Sequence, residues 1–222
     1  MRLFLLPTGT VGPAALPVPA YVVEADDGTV VLIDTGLPAP DGGTPPVVDW
    51  LTRIGRAPSE VAFVVCSHLD PDHCGNNDQF PQAEFVVQRS HLRFARSGPA
   101  RGGPECRERW DRPGFRFREI DGDQELLPGI ELVESAGHVP GHQSVLVRLP
   151  GRPVLLAIDA IPVGSALDAD TRPIYPFDMD EAAVRDATRK LVALARAEHA
   201  LIIHGHDAAQ WSTLCPPPAC YQ

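Results

Sequence analysis

"SHLDPDHCGNN", Ser67 to Asn77, places two histidines and two aspartates between His68 and His73. Four metal-ligating or acid–base groups in one short turn are uncommon in a structural loop, and neither residue type favours a strand. The turn directly follows "EVAFVV", an apolar run read as a buried strand. Working outward, other apolar runs end in the same kind of residue. Asp159 closes "VLLAI", His206 follows "ALII", and His142 in "GHVPGHQS" precedes "SVLV". Taken singly, Asp159 reads as a turn residue and His142 or His206 as a satisfied loop histidine. Four strand ends with the same logic point instead to loops gathered at one sheet edge, holding functional groups on a rigid base. His91, His138, His199 and His204 lack that logic and read as structural or supporting.

The rest of the chain supplies the strands and helices for such a base. "AYVVEADDGTVVLIDTG" is two β-rich runs joined by "DDG", a hairpin signal. "PPVVDWLTRIG" has helical spacing at Val47, Val48, Leu51 and Ile54. "AEFVVQ" is a further strand. The arginine-rich stretch from Arg89 to Arg118, with Gly98, Gly102 and Gly103, reads as exposed and mostly irregular. "FREI", "QELL", "IELVES", "SVLVRL" and "PVLLAID" are strands again, followed by a Pro-rich loop and a helix from about Asp180 to Glu198. Asp178 and Glu181 form a capping-box pair at its start. Strands grouped with helices in two similar halves predict an α/β fold, a four-layer αββα sandwich, over a single domain spanning residues 1–222.

Composition narrows the function. The 222 residues carry a formal net charge of -10, against a nucleic-acid footprint, and acidic residues interleave with the arginines of residues 89–118. No apolar run approaches the roughly 18 residues of a spanning helix. "MRLFLLPTG" is too short for a secretory core and is broken by Pro7. The expected location is cytoplasmic, with no membrane partner. Five cysteines without paired spacing do not suggest a zinc finger. Cys66 reads as a buried small hydrophobe and Cys74 as a pocket wall.

Imidazoles and carboxylates suit zinc and similar first-row metals, and one carboxylate between two cations can bridge them. In order and spacing, "VLIDTG", "SHLDPDHCGN", "GHVPGHQS", "LLAIDA" and "HGHD" resemble the metallo-β-lactamase superfamily from about Tyr21 to Gln210. Within it, "PGHQS", "GHD", "VQRS" and "PVPAYVV" look most like the N-acyl homoserine lactonases, which open the lactone ring of quorum signals. The resemblance implies two divalent metal ions, zinc with iron or manganese as alternatives. His68, His142 and Asp70 would hold one; Asp72, His73 and His206 would hold the second; Asp159 would bridge. It also implies attack by a metal-bridging hydroxide, with Asp72 as the catalytic residue that passes a proton to the leaving alkoxide, and Asp34 supporting the ligand loop. The expected substrate is a small lactone or ester, and the expected assembly a monomer or homodimer. The alternatives are a thioester hydrolase of the hydroxyacylglutathione type and a di-iron oxidoreductase.

Two positions depart from the lactonase pattern. Asp70 stands where those enzymes have a histidine. It either ligates directly or, being shorter, acts through a water, and its charge should slow lactone opening. Pro162 stands where they have a tyrosine, and Tyr175 in the same loop is the residue that could replace it.

Overall fold

The architecture follows from strands that are apolar on both faces. The structure, a computed structural model, describes residues 1–39, 42–99 and 101–222. The first sheet is built from β1 (Arg2–Val11), β2 (Leu16–Glu24), β3 (Val30–Ile33), β4 (Val61–Val65), β5 (Glu84–Gln88) and β6 (Arg116–Ile120), side by side in chain order. Its first three strands are antiparallel and the rest parallel. The second sheet runs β11 (Leu201–His204), β10 (Val154–Ile158), β9 (Gln143–Val147), β8 (Ile130–Glu134) and β7 (Gln124–Leu127).

Alternation sorts each strand between two cores. Tyr21, Val23, Val31 and Ile33 face the second sheet and pack with Leu132, Val145, Leu156 and Ile203. Their neighbours Ala20, Val22, Val30 and Leu32 face outward, against Val47 and Leu51 of α1 (Pro46–Arg53). Because both faces are covered, the strands read as continuous apolar runs. After β4 comes the short α2 (Pro71–Cys74), then α3 (Arg89–Ser97) after β5, and α4 (Pro104–Trp110). On the far side, α5 (Glu181–Ala197) lays Leu191 and Ala195 on Val133, Leu146 and Leu155. The final helix is α6 (Ala208–Trp211). Helix, sheet, sheet, helix is the expected sandwich. No helix among the described residues is long and apolar enough to cross a membrane.

Three local expectations change. The stretch from Arg89 is largely helical: His91 and Leu92 anchor α3, and Cys106 and Trp110, four apart on one face, anchor α4. The α5 cap is Asp180, whose carboxylate accepts the Ala183 N–H; Asp178 is engaged elsewhere. An edge strand, β1, precedes the hairpin, with a register shift between Pro7 and Gly9.

Gly36 ties the end of β3 to the histidine turn. Its φ is +70°, its carbonyl accepts the Gly75 N–H, and a Cβ there would stand 2.1 Å from Thr8 Oγ1. Gly36→Ala should therefore cost about 3 kcal/mol, from overpacking and left-handed strain together. Gly43→Ala, with open space around it, should change stability by less than ~0.5 kcal/mol. Urea unfolding of the two variants checks the difference; equal midpoints would contradict it.

Candidate metal centre

The ligand-type side chains meet where both sheets end. β3 stops at Asp34, which takes a left-handed φ of 56°, and β10 stops at Ile158, φ 51°, just before Asp159. A β-branched residue at positive φ is costly and persists only where the surroundings impose it. Here it turns the Asp159 carboxylate out of the strand. Gln143, at the start of β9, joins the sheets at this edge: its backbone N–H reaches the Ser67 carbonyl, and its Nε2 reaches the Cys66 and Val86 carbonyls.

Each histidine is oriented by its Nδ1. Ser67 donates its hydroxyl to Asp34 Oδ2 at 2.7 Å, so the His68 Nδ1–H must donate to Ser67 Oγ, at 3.0 Å. His73 Nδ1 donates to the same Asp34 oxygen at 2.8 Å. His206 Nδ1 donates to the Pro17 carbonyl at 2.8 Å, and His138 Nδ1 lies 3.3 Å from Asp178 Oδ1. Every one of these leaves Nε2 free to face inward. Fixing the tautomer in this way is what metal-binding histidines need.

The inward atoms form two groups. In the first, ligand atoms of His68, His138 and Asp159 lie within 4.8 Å of one another; in the second, those of Asp72, His73 and His206 do. Asp159 touches both. Its Oδ2 is 3.9 Å from His68 Nε2 and 3.5 Å from His138 Nε2. Its Oδ1 is 3.5 Å from His73 Nε2 and 3.0 Å from His206 Nε2. Donors around a tetrahedral zinc stand about 3.4 Å apart, so both groups fit a divalent cation of that size. The Nε2 atoms of His68, His73, His138 and His142 are buried without a hydrogen-bond partner, which is costly unless something binds there.

Of the expected residues, His68, Asp72, His73, Asp159 and His206 come together. Asp70 Oδ2 lies 3.7 Å from His68 Nε2 and 3.6 Å from His138 Nε2, while its Oδ1 meets Arg101 Nε at 2.6 Å. His142 does not join. Its Nδ1–H starts a buried relay through Ser135 and Ser144 to the Ala157 carbonyl, which leaves its Nε2 free as in the others, but it is His138 whose ligand atom lies within 4.8 Å of those of His68 and Asp159. His138, read from the sequence as a supporting residue, takes the place expected for His142. Both belong to one irregular loop, "GHVPGH", where no periodicity says which ring points inward. The partner that distinguishes His138 is Asp178, forty residues away. His91 holds this loop to the histidine turn, donating to the Pro140 carbonyl and accepting the Leu69 N–H. Cys74 packs against Cys106, Sγ to Sγ 3.8 Å, rather than entering either group.

Charge is unevenly placed. Burial lowers His68 far below its ordinary value and lowers His142 to about 3. Burial would lower His138 too, but Asp178, Asp70 and Asp159 outweigh it and push it up to about 9. His73 and His206 are also raised, because Asp159 and Asp72 overcome their burial. Asp159 is lowered, the histidines around it outweighing its own burial.

The profile of the Metallo-beta-lactamase superfamily matches residues 13–206. The chain is 32% identical to an N-acyl homoserine lactonase AttM of Rhizobium johnstonii, across 100% of this chain and 98% of that one. It is 30% identical to an N-acyl homoserine lactonase of a Bacillus species, across 88% and 83%. A solved N-acyl homoserine lactone hydrolase, with the product N-hexanoyl-L-homoserine at its catalytic metal center, superimposes with a TM-score of 0.86 at 27% identity, covering 99% and 98%.

Raised histidines hold protons that a cation must displace. Loading the metal-free protein with zinc at about pH 7 should release protons, so calorimetric binding enthalpies should vary with the ionisation enthalpy of the buffer. The release should shrink as pH rises past about 9, where His138 is already deprotonated. A buffer-independent enthalpy near neutrality would contradict this assignment.

Proposed function

This chain belongs to the metallo-β-lactamase superfamily, and from that premise we propose a metal-dependent hydrolase that opens the ring of N-acyl homoserine lactones. In this reading the paired donor groups hold two divalent cations, zinc first among them. His68, His138 and Asp70 take one, Asp72, His73 and His206 the other, and Asp159 is shared. The observation that carries the reading is the sharing: two oxygens of one buried carboxylate each face a different pair of inward-pointing imidazole Nε2 atoms. The names of the lactonase relatives supply the substrate class.

When bound, such cations supply Lewis acidity toward a carbonyl oxygen and lower the pKa of water. The protein's own part is to orient and to move protons. Asp34, Ser67, Pro17 and Asp178 hold the imidazoles, so that little reorganisation is needed when a substrate arrives. Asp72 is the carboxylate of these groups that is not fully buried. It is therefore the one placed to pass a proton to the departing ring oxygen. Beside His138 the loop ahead of α5 presents an apolar rim. Phe177 packs its ring edge-on against His138, with centroids 5.5 Å apart, and stacks on Tyr175 at 5.1 Å. Phe177 and Met179 are 46% and 52% exposed, unusual for large apolar side chains and suited to an acyl tail. Tyr175 is thus near the centre, although its ring is committed to Phe177.

Zinc-loaded protein in a pH-stat should release one equivalent of acid per N-hexanoyl homoserine lactone consumed. Cleavage of a glutathione thioester with no acid from lactones of several chain lengths would overturn the reading. Phe177→Ala should lower kcat/KM about tenfold for long-chain lactones, as apolar contact is lost, and leave the shortest acyl chain nearly unaffected. An equal loss for all chain lengths would remove Phe177 from the acyl site.

A further inference from the structure

The residue that breaks the family's ligand pattern comes with a partner. Asp70 is buried, and an aspartate there adds a negative charge beside Asp159 that a neutral histidine would not. Arg101 Nε stands 2.6 Å from Asp70 Oδ1, as a close charge contact rather than an aligned hydrogen bond. The other carboxylate oxygen, Oδ2, is the one near His68 and His138. Arg101 is unlike its arginine neighbours in this. Arg89 and Arg96 pair with more exposed acids, Arg109 pairs with the largely buried Asp78 just past the histidine turn, and Arg107 caps backbone carbonyls. Arg101 alone among these turns toward the candidate metal centre.

The chain delivers it there through a backbone that only glycine allows. Gly102 has a φ of +80°, and a Cβ on it would stand 2.0 Å from the Cγ of Pro71, the residue after Asp70. Gly102, next to Arg101, therefore lies directly on the histidine turn. The glycines that made this stretch look irregular in the sequence are what let it approach so closely.

We infer that Arg101 is a positioning residue for the first donor group: it offsets the charge of Asp70 and holds one oxygen, leaving the other for a cation. The inference rests on the two-cation reading above. A carboxylate in place of an imidazole would weaken the Lewis acidity of the cation it touches. A guanidinium on the outer oxygen withdraws part of that charge. Asp70 with Arg101 has the same formal charge as a lone neutral histidine, so the pair can replace histidine without changing the total charge of the group. The slowing of lactone opening expected from Asp70 alone is then reduced.

The test is a double-mutant cycle on the full-length protein, read by metal binding. Zinc affinity is measured by chelator competition for each equivalent, and cobalt(II) spectra report the ligand field. Circular dichroism confirms folding. Arg101→Ala should weaken one of the two zinc equivalents by roughly 10- to 100-fold, shift the cobalt bands, and leave the other equivalent unchanged. Arg101→Lys, which keeps a donor for the Asp70 oxygen, should recover part of the loss. In the Asp70→His background, Arg101→Ala should cost nothing or tighten binding, because the guanidinium then faces a neutral ligand. Gly102→Ala, which displaces the loop, should resemble Arg101→Ala. Unchanged zinc affinities in Arg101→Ala, or an equal loss with histidine at position 70, would overturn the inference while leaving two cations in place. Fewer than two zinc equivalents in the unaltered protein would overturn the two-cation reading itself, and this inference with it.

Discussion

The Asp159 carboxylate is buried between four imidazoles, and much of the surrounding structure serves to hold it there. It comes from the second sheet, at the end of a strand closed by a strained isoleucine. Its nearest partners come from three other places: the turn after β4, the loop before β9, and the turn after β11. A carboxylate facing several imidazoles in a dry site is tolerable in two ways. Either the imidazoles take up protons, as the raised His73, His138 and His206 do here, or cations replace those protons. The same residues therefore carry both the electrostatic cost of the site and its capacity to bind metal.

Around that carboxylate the fold supplies rigidity at atomic detail. Asp34 collects three donors, from Ser67 twice and from His73. Gln143 sews the sheets together at the same edge. These contacts fix which nitrogen of each ring faces the site, and this matters more to metal binding than the number of histidines does. The Asp70–Arg101 contact belongs to the same logic, with charge rather than tautomer as the quantity being set.

Much of this was legible in the sequence, and the exceptions have physical reasons. The hairpin, the buried strands and α5 were visible because alternating or continuous apolar runs have a definite period. The turn from His68 to His73 stood out by ligand density alone, and Asp159 and His206 by their places at strand ends. The choice between His138 and His142 was not legible. Four residues apart in one loop, they differ only in which side chain a distant Asp178 or a nearby Ser135 receives. Helices α3 and α4 were hidden for a different reason: they are short, rich in arginine and separated by glycines, so they bury too few apolar side chains to show a stripe. β1 was obscured by Pro7 and Gly9, which an edge strand with a bulge accommodates. What sequence reading missed in each case was a tertiary partner.

The most direct test of two cations sharing Asp159 is a crystal structure of zinc-loaded protein with anomalous differences recorded on both sides of the zinc absorption edge. Two peaks are expected, one against each Asp159 oxygen, with His68 and His138 on the first and His73 and His206 on the second. A single peak, or a first peak ligated by His142 with His138 turned away, would contradict the account.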